Sequence, residues 1–118
     1  MKELPERDPD MPREEYLLDS AHHGLSMNPK GTKLCAAGTM DGYAAIVNRK
    51  TFKHKTIPVG EVPYWSTNSG NGKLCFVSVA AEDKVAVISY RREKQIRTIE
   101  VGDHPQRMRM GNVRNAYL

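Results

Sequence analysis

An all-β fold made of repeated four-stranded antiparallel meanders is predicted by three features of this 118-residue sequence. The first is a recurrence: Thr98-Ile99-Glu100-Val101-Gly102-Asp103-His104-Pro105 repeats Thr56-Ile57-Pro58-Val59-Gly60-Glu61-Val62-Pro63 at a spacing of 42. In both copies an apolar strand runs into Val-Gly-acid-x-Pro, where Gly permits a sharp turn and Pro forbids helix and restarts an extended segment. The second is a matching recurrence upstream, Lys33-Leu34-Cys35 against Lys73-Leu74-Cys75, at a spacing of 40. The third is a series of short apolar runs, each bounded by Gly, Asn, Asp or Pro, with four runs to a repeat. A period of about 40 residues with four strands per repeat marks a β-propeller, in which each sheet buries both faces against neighbouring blades.

Taken in order, residues 1–13 carry Pro5, Pro9 and Pro12 among charges and read as a flexible lead. They hold no apolar h-region, so no secretory signal peptide is expected in this chain. Residues 14–20 begin with Glu14-Glu15-Tyr16-Leu17-Leu18, which is compatible with helix. The repeat register sets that run against the last strand of the next unit and predicts the outer strand of a preceding blade.

Blade one is expected over residues 22–60. It opens on His22-His23-Gly24 and an inner strand, then turns at Asn28-Pro29-Lys30-Gly31, with Pro at the second position. The strands Lys33-Leu34-Cys35-Ala36-Ala37 and Tyr43-Ala44-Ala45-Ile46-Val47 follow, and residues 53–59 close the unit. Blade two, over residues 63–102, repeats this order with Tyr64-Trp65-Ser66-Thr67-Asn68, a strand over 73–79, another over 84–90, and a closing strand over 95–101. The spacing grows from 40 to 42 between the second and third strands, which places two added residues in that turn, where a loop tolerates them. Residues 105–110 predict the first strand of a third unit, and 111–118 a tail. One outer strand, two blades and one inner strand do not close a ring of about six to eight blades. The chain is therefore expected to be an incomplete propeller, first as a slice of a larger one and second as a subunit of a ring assembled from several chains.

A hydrophobic fraction of 39% with a mean hydropathy of −0.61 fits apolar residues spread over short strands. No apolar run approaches the roughly 18 residues of a membrane-spanning helix. The net charge of +4 is unevenly placed, with Arg91, Arg92, Lys94, Arg97, Arg107, Arg109 and Arg114 late in the chain and Glu3, Glu6, Asp8, Asp10, Glu14, Glu15 and Asp19 early. Such asymmetry fits an anionic partner; it equally fits solvated turns and basic residues that keep strand edges from pairing. The basic tail lacks interleaved aromatics until Tyr117, so nucleic acid is not an expected partner. Cys35 and Cys75 occupy the same place in successive repeats. Equivalent positions in neighbouring repeats usually lie farther apart than the roughly 7 Å a bridge allows, so both are expected as buried thiols.

The segment from Gly72-Lys73-Leu74-Cys75-Phe76-Val77-Ser78 through Val85-Ala86-Val87-Ile88, Ile96-Arg97-Thr98-Ile99 and Val101-Gly102-Asp103-His104-Pro105 resembles the YVTN-type β-propeller repeat of YncE-like proteins. The resemblance covers about residues 14–110 and extends, as a superfamily likeness, to the haem d-binding propeller of cytochrome nitrite reductases and to propellers of nitrous oxide and quinone-linked enzymes. It implies a WD-like repeat architecture and proteins that are usually periplasmic or secreted. Two departures stand out. The family's tyrosine in its Tyr-Val-Thr-Asn strand is Phe76 in repeat two and Ala36 in repeat one, and the customary Asp after the third strand is Asn48 or Tyr90.

In a propeller the first strand of each blade lines the central channel, and the loops that lead into it form one mouth of that channel. This places His22, His23, Tyr64, Trp65 and His104 as candidate ligand contacts. Adjacent side chains on an extended strand point opposite ways, so one of His22 and His23 faces a channel metal unless the backbone bends. Imidazoles gathered from several blades bind copper or an iron-haem edge, which makes His22 and His23 the metal candidates; the plainer reading is hydrogen-bonded turn histidines. Trp65 serves either a ligand at the mouth or, more simply, the wedge between blades. Asp41, Glu82 and Asp83 lie in corresponding turns as cation ligands or solvated acids, without a regular Asp-x-Asp loop. His54 falls in an outer strand.

The sequence contains no Gly-x-Ser-x-Gly elbow, phosphate-binding loop or His-Glu-x-x-His run. The expected function is thus a binding or interaction module without catalysis or cofactor, taking a protein or small molecule at the mouth. Its open sheet edges would meet the remaining blades or another copy. The alternative is a fragment of a periplasmic redox propeller enzyme, nitrous oxide reductase-like or haem d nitrite reductase-like, with a mouth histidine as ligand.

Overall fold

The structure is a computed structural model that describes residues 23–111. The expectations for the lead over 1–13, the outer strand over 14–20, His22 and the tail over 112–118 lie outside the described residues.

Among the described residues eight strands form two antiparallel sheets, each in simple sequence order. The first joins β1 (Leu25–Met27), β2 (Lys33–Gly38), β3 (Tyr43–Asn48) and β4 (His54–Pro58). The second joins β5 (Pro63–Asn68), β6 (Leu74–Val79), β7 (Lys84–Ser89) and β8 (Lys94–Glu100). These are two blades of an incomplete β-propeller. Each turn has an identifiable cause. Asn28 opens the β1–β2 turn, its carbonyl accepting from the Gly31 N–H at 2.8 Å and its side-chain Oδ1 from the N–H groups of Thr32 and Lys33. In blade two Ser69 does the same, accepting from the Gly72 N–H at 2.9 Å and, through Oγ, from Leu74.

The two extra residues of blade two lie in the ladder rather than the turn. From the matched pairs Cys35↔Ile46 and Cys75↔Ile88, pairing continues to Gly38↔Tyr43 in blade one and one rung further, to Val79↔Lys84, in blade two. Both connections keep four residues and end in a left-handed residue, Gly42 at φ 71° or Asp83 at φ 54°. Lengthening the ladder pairs the added backbone groups, which an enlarged loop leaves to solvent.

Alternate residues of the middle strands build one buried cluster shared by the sheets: Cys35, Ala37, Ala44 and Ile46 from blade one, and Cys75, Val77, Val79, Ala86 and Ile88 from blade two. The blades approach most closely where β5 lies against β1 and β2. A Cβ on Gly24 would sit 2.5 Å from Trp65 Cα and 2.6 Å from Ser66 N, so the inner backbones touch at a point only glycine allows.

This convergence overturns the expectation of two separate thiols. Cys35 and Cys75 form a disulfide with their Cα atoms 6.6 Å apart. Facing sheets stack about 10 Å apart, but β2 lies directly against β5 at the close approach and β6 is the neighbour of β5, so β2 and β6 lie nearer than that.

Polar bonds reinforce the bridge. The Ser66 hydroxyl donates to the Cys35 carbonyl at 3.1 Å, and the Asn68 amide donates to the Met27 carbonyl at 2.5 Å. Asn68 Oδ1 accepts from the Tyr90 hydroxyl, and Lys33 Nζ donates to the Tyr90 carbonyl at 2.7 Å. Tyr90, one of the two residues in the place of the customary Asp, therefore ties blade to blade; burial pushes its phenol above the usual 10.0. Side chains at the end of the third strand also hold the turns that follow it. Asn48 Oδ1 accepts from the Lys50 and Thr51 N–H groups in blade one, and Ser89 Oγ accepts from Arg92 N–H in blade two.

Residues 105–110, expected as a strand, form none. A strand is held by its ladder partner, and the described residues contain no second strand of a third unit.

Candidate functional site

Two joints lie at the end of the sheets where the channel mouth is expected. The chain leaves β4 through residues 59–62 to reach β5, and leaves β8 through residues 101–104. In each joint the residue before proline is left-handed, Val62 at φ 57° and His104 at φ 51°. Non-glycine residues reach that region at a cost, so the conformation needs ties from outside.

The β6–β7 turn supplies them. The Glu82 carboxylate accepts the Glu61 N–H and pairs with Lys84 Nζ at 3.3 Å, while Asp83 Oδ1 accepts the His104 N–H at 2.8 Å. The Glu61 N–H, with Lys84 assisting, holds the Glu82 carboxyl below its usual 4.5. The Asp83 carbonyl also accepts from Val101 N–H at 3.0 Å, as the Gly42 carbonyl accepts from Val59 N–H in blade one. Glu82 and Asp83, read from sequence as cation ligands or solvated acids, hold the two joints.

Between the joints, residues from three successive segments meet. The His23 ring stacks on Tyr64 with centroids 4.1 Å apart and planes at 23°, and tilts towards Trp65 at 6.2 Å. On the other side the Arg107 guanidinium lies 4.6 Å over the Trp65 ring. A bulge between Pro63 and Trp65, where Trp65 N–H donates to Ser78 Oγ at 3.0 Å, breaks the regular alternation of β5 so that both Tyr64 and Trp65 approach His23. Tyr64 and Trp65 are half-buried, while His23 and Arg107 are exposed.

The structure thus brings together His23, Tyr64 and Trp65, three of the five expected mouth residues. His22 lies outside the described residues. His104 is exposed and is fixed through its backbone; among the described residues its ring makes no contact with this group. Arg107 was missed as a site residue because it read as part of a basic tail. The usable signal is positional: it follows Pro105 by two residues, as Trp65 follows Pro63. Trp65 is half-buried with the Arg107 guanidinium of the third segment over its ring. His54 lies half-buried on β4, away from the channel strands.

The group offers flat aromatic faces flanked by an imidazole and a guanidinium, which suit stacking and cation–π contact. Among the described residues no three His, Cys, Asp or Glu side chains gather to hold a metal ion. The stack on Tyr64 engages a face of the His23 ring, a contact that does not involve the imidazole nitrogens.

Fold and site together define a β-propeller-type protein segment. Among solved structures the chain is similar to the hydrazine synthase of Kuenenia stuttgartiensis, with a TM-score of 0.67 and 27% identity over 72% of this chain and 24% of that one. It is also similar to a protein assigned as a 6-phosphogluconolactonase from Bacteroides uniformis, with a TM-score of 0.51 and 24% identity over 67% of this chain and 26% of that one; this second likeness shows the fold alone. The chain spans about a quarter of the length of these structures. No known family profile and no curated protein matches the sequence.

Proposed function

We propose that the chain is a YVTN-type, YncE-like propeller segment whose channel mouth is a non-catalytic interaction surface for a protein or small molecule. The observation that carries this reading is the aromatic and cationic group of His23, Tyr64, Trp65 and Arg107, contributed by three successive segments at one end of the inner strands. His22, which precedes His23 at the entry to blade one, and His104, in the second joint, are assigned by sequence to the same contact surface. The open sheet edges meet further blades or another copy.

Panning a random peptide phage library on the purified chain tests this. Because Trp65 is the only tryptophan, its emission reports a ligand at the mouth directly. Selected peptides are expected to quench it and to bind at least tenfold more weakly to Trp65→Ala and Tyr64→Ala. Peptides that bind both variants as well as the parent would overturn the reading.

The likeness to part of a hydrazine synthase favours a second reading, in which the segment belongs to the propeller of a larger redox enzyme and a mouth histidine ligates copper or haem. Copper retained stoichiometrically after dialysis, and lost on His22→Ala or His23→Ala, would replace the first reading with this one. Copper retained by neither the parent nor the variants would count against it.

A further inference from the structure

We propose that the end of the molecule opposite the mouth carries a binding site for an oligophosphate anion, in the cleft between the two blades. In a meander, connections alternate between ends, so the β1–β2, β3–β4, β5–β6 and β7–β8 turns share the end away from both joints. That end is strongly basic, while Asp41, Glu61, Glu82, Asp83 and Asp103 cluster around the mouth. A charge separation hidden in the sequence order appears once the strands are laid side by side.

The cleft has a volume of about 730 Å³. Its walls are the β1–β2 turn of blade one, with Asn28 and Lys30, and the β5–β6 and β7–β8 turns of blade two, with Asn71, Lys73, Arg91 and Arg92. The turns are braced against each other, since a Cβ on Gly72 would meet the Pro29 ring at 2.5 Å. Lys33 is committed, bonded to the Tyr90 carbonyl at 2.7 Å and paired with Glu93 at 3.3 Å. Glu93 is thereby used up. Among the described residues no carboxylate pairs with Lys30, Lys73, Arg91 or Arg92, and all four are exposed.

Unneutralised cations around a concavity focus a positive potential. Arginine forks match pairs of phosphate oxygens, and lysines add point charges. A single-charge anion would leave most of these groups without a partner, whereas a short phosphate chain meets several at once. A nucleic-acid strand fits less well. Its bases need stacking faces, and the one aromatic ring lining the cleft, Tyr90, is 4% exposed with its hydroxyl bonded to Asn68.

Calorimetric titration of the chain with sodium tripolyphosphate at constant, near-physiological ionic strength tests the site. One anion per chain is expected, with affinity at least tenfold weaker in Arg91→Gln/Arg92→Gln and unchanged in Lys50→Gln/Lys53→Gln. The second pair removes the same charge from the same end but outside the cleft. Adenosine triphosphate is titrated in parallel. Binding of either compound with this variant dependence supports the site, and their ratio shows whether an inorganic or a nucleotide source is preferred. The absence of saturable binding, an equal loss in the Lys50→Gln/Lys53→Gln control, or tighter binding of an oligothymidine than of tripolyphosphate would overturn it.

Discussion

Reducing the Cys35–Cys75 disulfide should destabilise the chain more than any single surface substitution. The bridge spans 40 residues of sequence. In the chain-entropy account, closing a loop of that size in the unfolded chain is worth about 4 kcal/mol. For a domain of this size each 1 kcal/mol moves the melting temperature by about 4–8 °C, so reduction should lower it by roughly 15–30 °C. Urea unfolding followed by circular dichroism, with and without a phosphine reductant, should also give a larger slope for the reduced chain, because its unfolded state is free to expand. Cys35→Ala/Cys75→Ala should behave like the reduced protein and be insensitive to reductant. Oxidised and reduced chains unfolding within about 1 kcal/mol of each other would refute the entropy argument. Two titratable thiols in the denatured, unreduced protein would refute the bridge itself, since the chain has only these two cysteines.

Three further outcomes follow from the blade contacts and joints. Gly24→Ala drives a methyl group into the β5 backbone and should cost about 2–3 kcal/mol in urea unfolding; an unchanged midpoint would mean the inner strands do not touch there. Asn68→Ala strands the Met27 carbonyl and the Tyr90 hydroxyl and should cost about 2 kcal/mol, with little effect if those bonds go to water instead. Glu82 has a folded pKa below its usual 4.5, so its tie to the joint contributes stability above that value and loses it as pH falls through the folded pKa. Glu82→Gln should therefore flatten the fall in stability between about pH 5 and pH 3. Parent and variant curves of equal steepness would contradict this tie.

The blades were legible because strand periodicity and turn chemistry are local. Val-Gly-acid-x-Pro locates each joint, and Asn28-Pro29-Lys30-Gly31 locates a turn, with no knowledge of what lies across from them. Features that depend on how close two sheets come were not legible. The cysteines were judged by an average spacing between repeats, whereas Gly24 brings the inner strands into backbone contact and draws β2 and β6 together. Tyr90 read as a departure from a turn pattern, and its role in holding the blades emerges only with Lys33 of blade one across the gap. His23, Tyr64 and Trp65 could be grouped from sequence because each stands at the start of an inner strand, and the structure brings them into contact. Arg107 was assigned by charge rather than by its place after Pro105, and so was left out. Glu82 and Asp83 hold joints about 21 residues distant in sequence, a pairing no short motif encodes.

The central functional claim is that partners meet this segment at the His23, Tyr64, Trp65 and Arg107 group. Amide and indole chemical-shift mapping of the isotope-labelled chain, titrated with a peptide selected against it, tests that most directly. Saturable shifts centred on residues 23, 64, 65 and 107 are expected. Shifts confined to the outer strands β4 and β8, with the Trp65 indole signal unmoved, would contradict it.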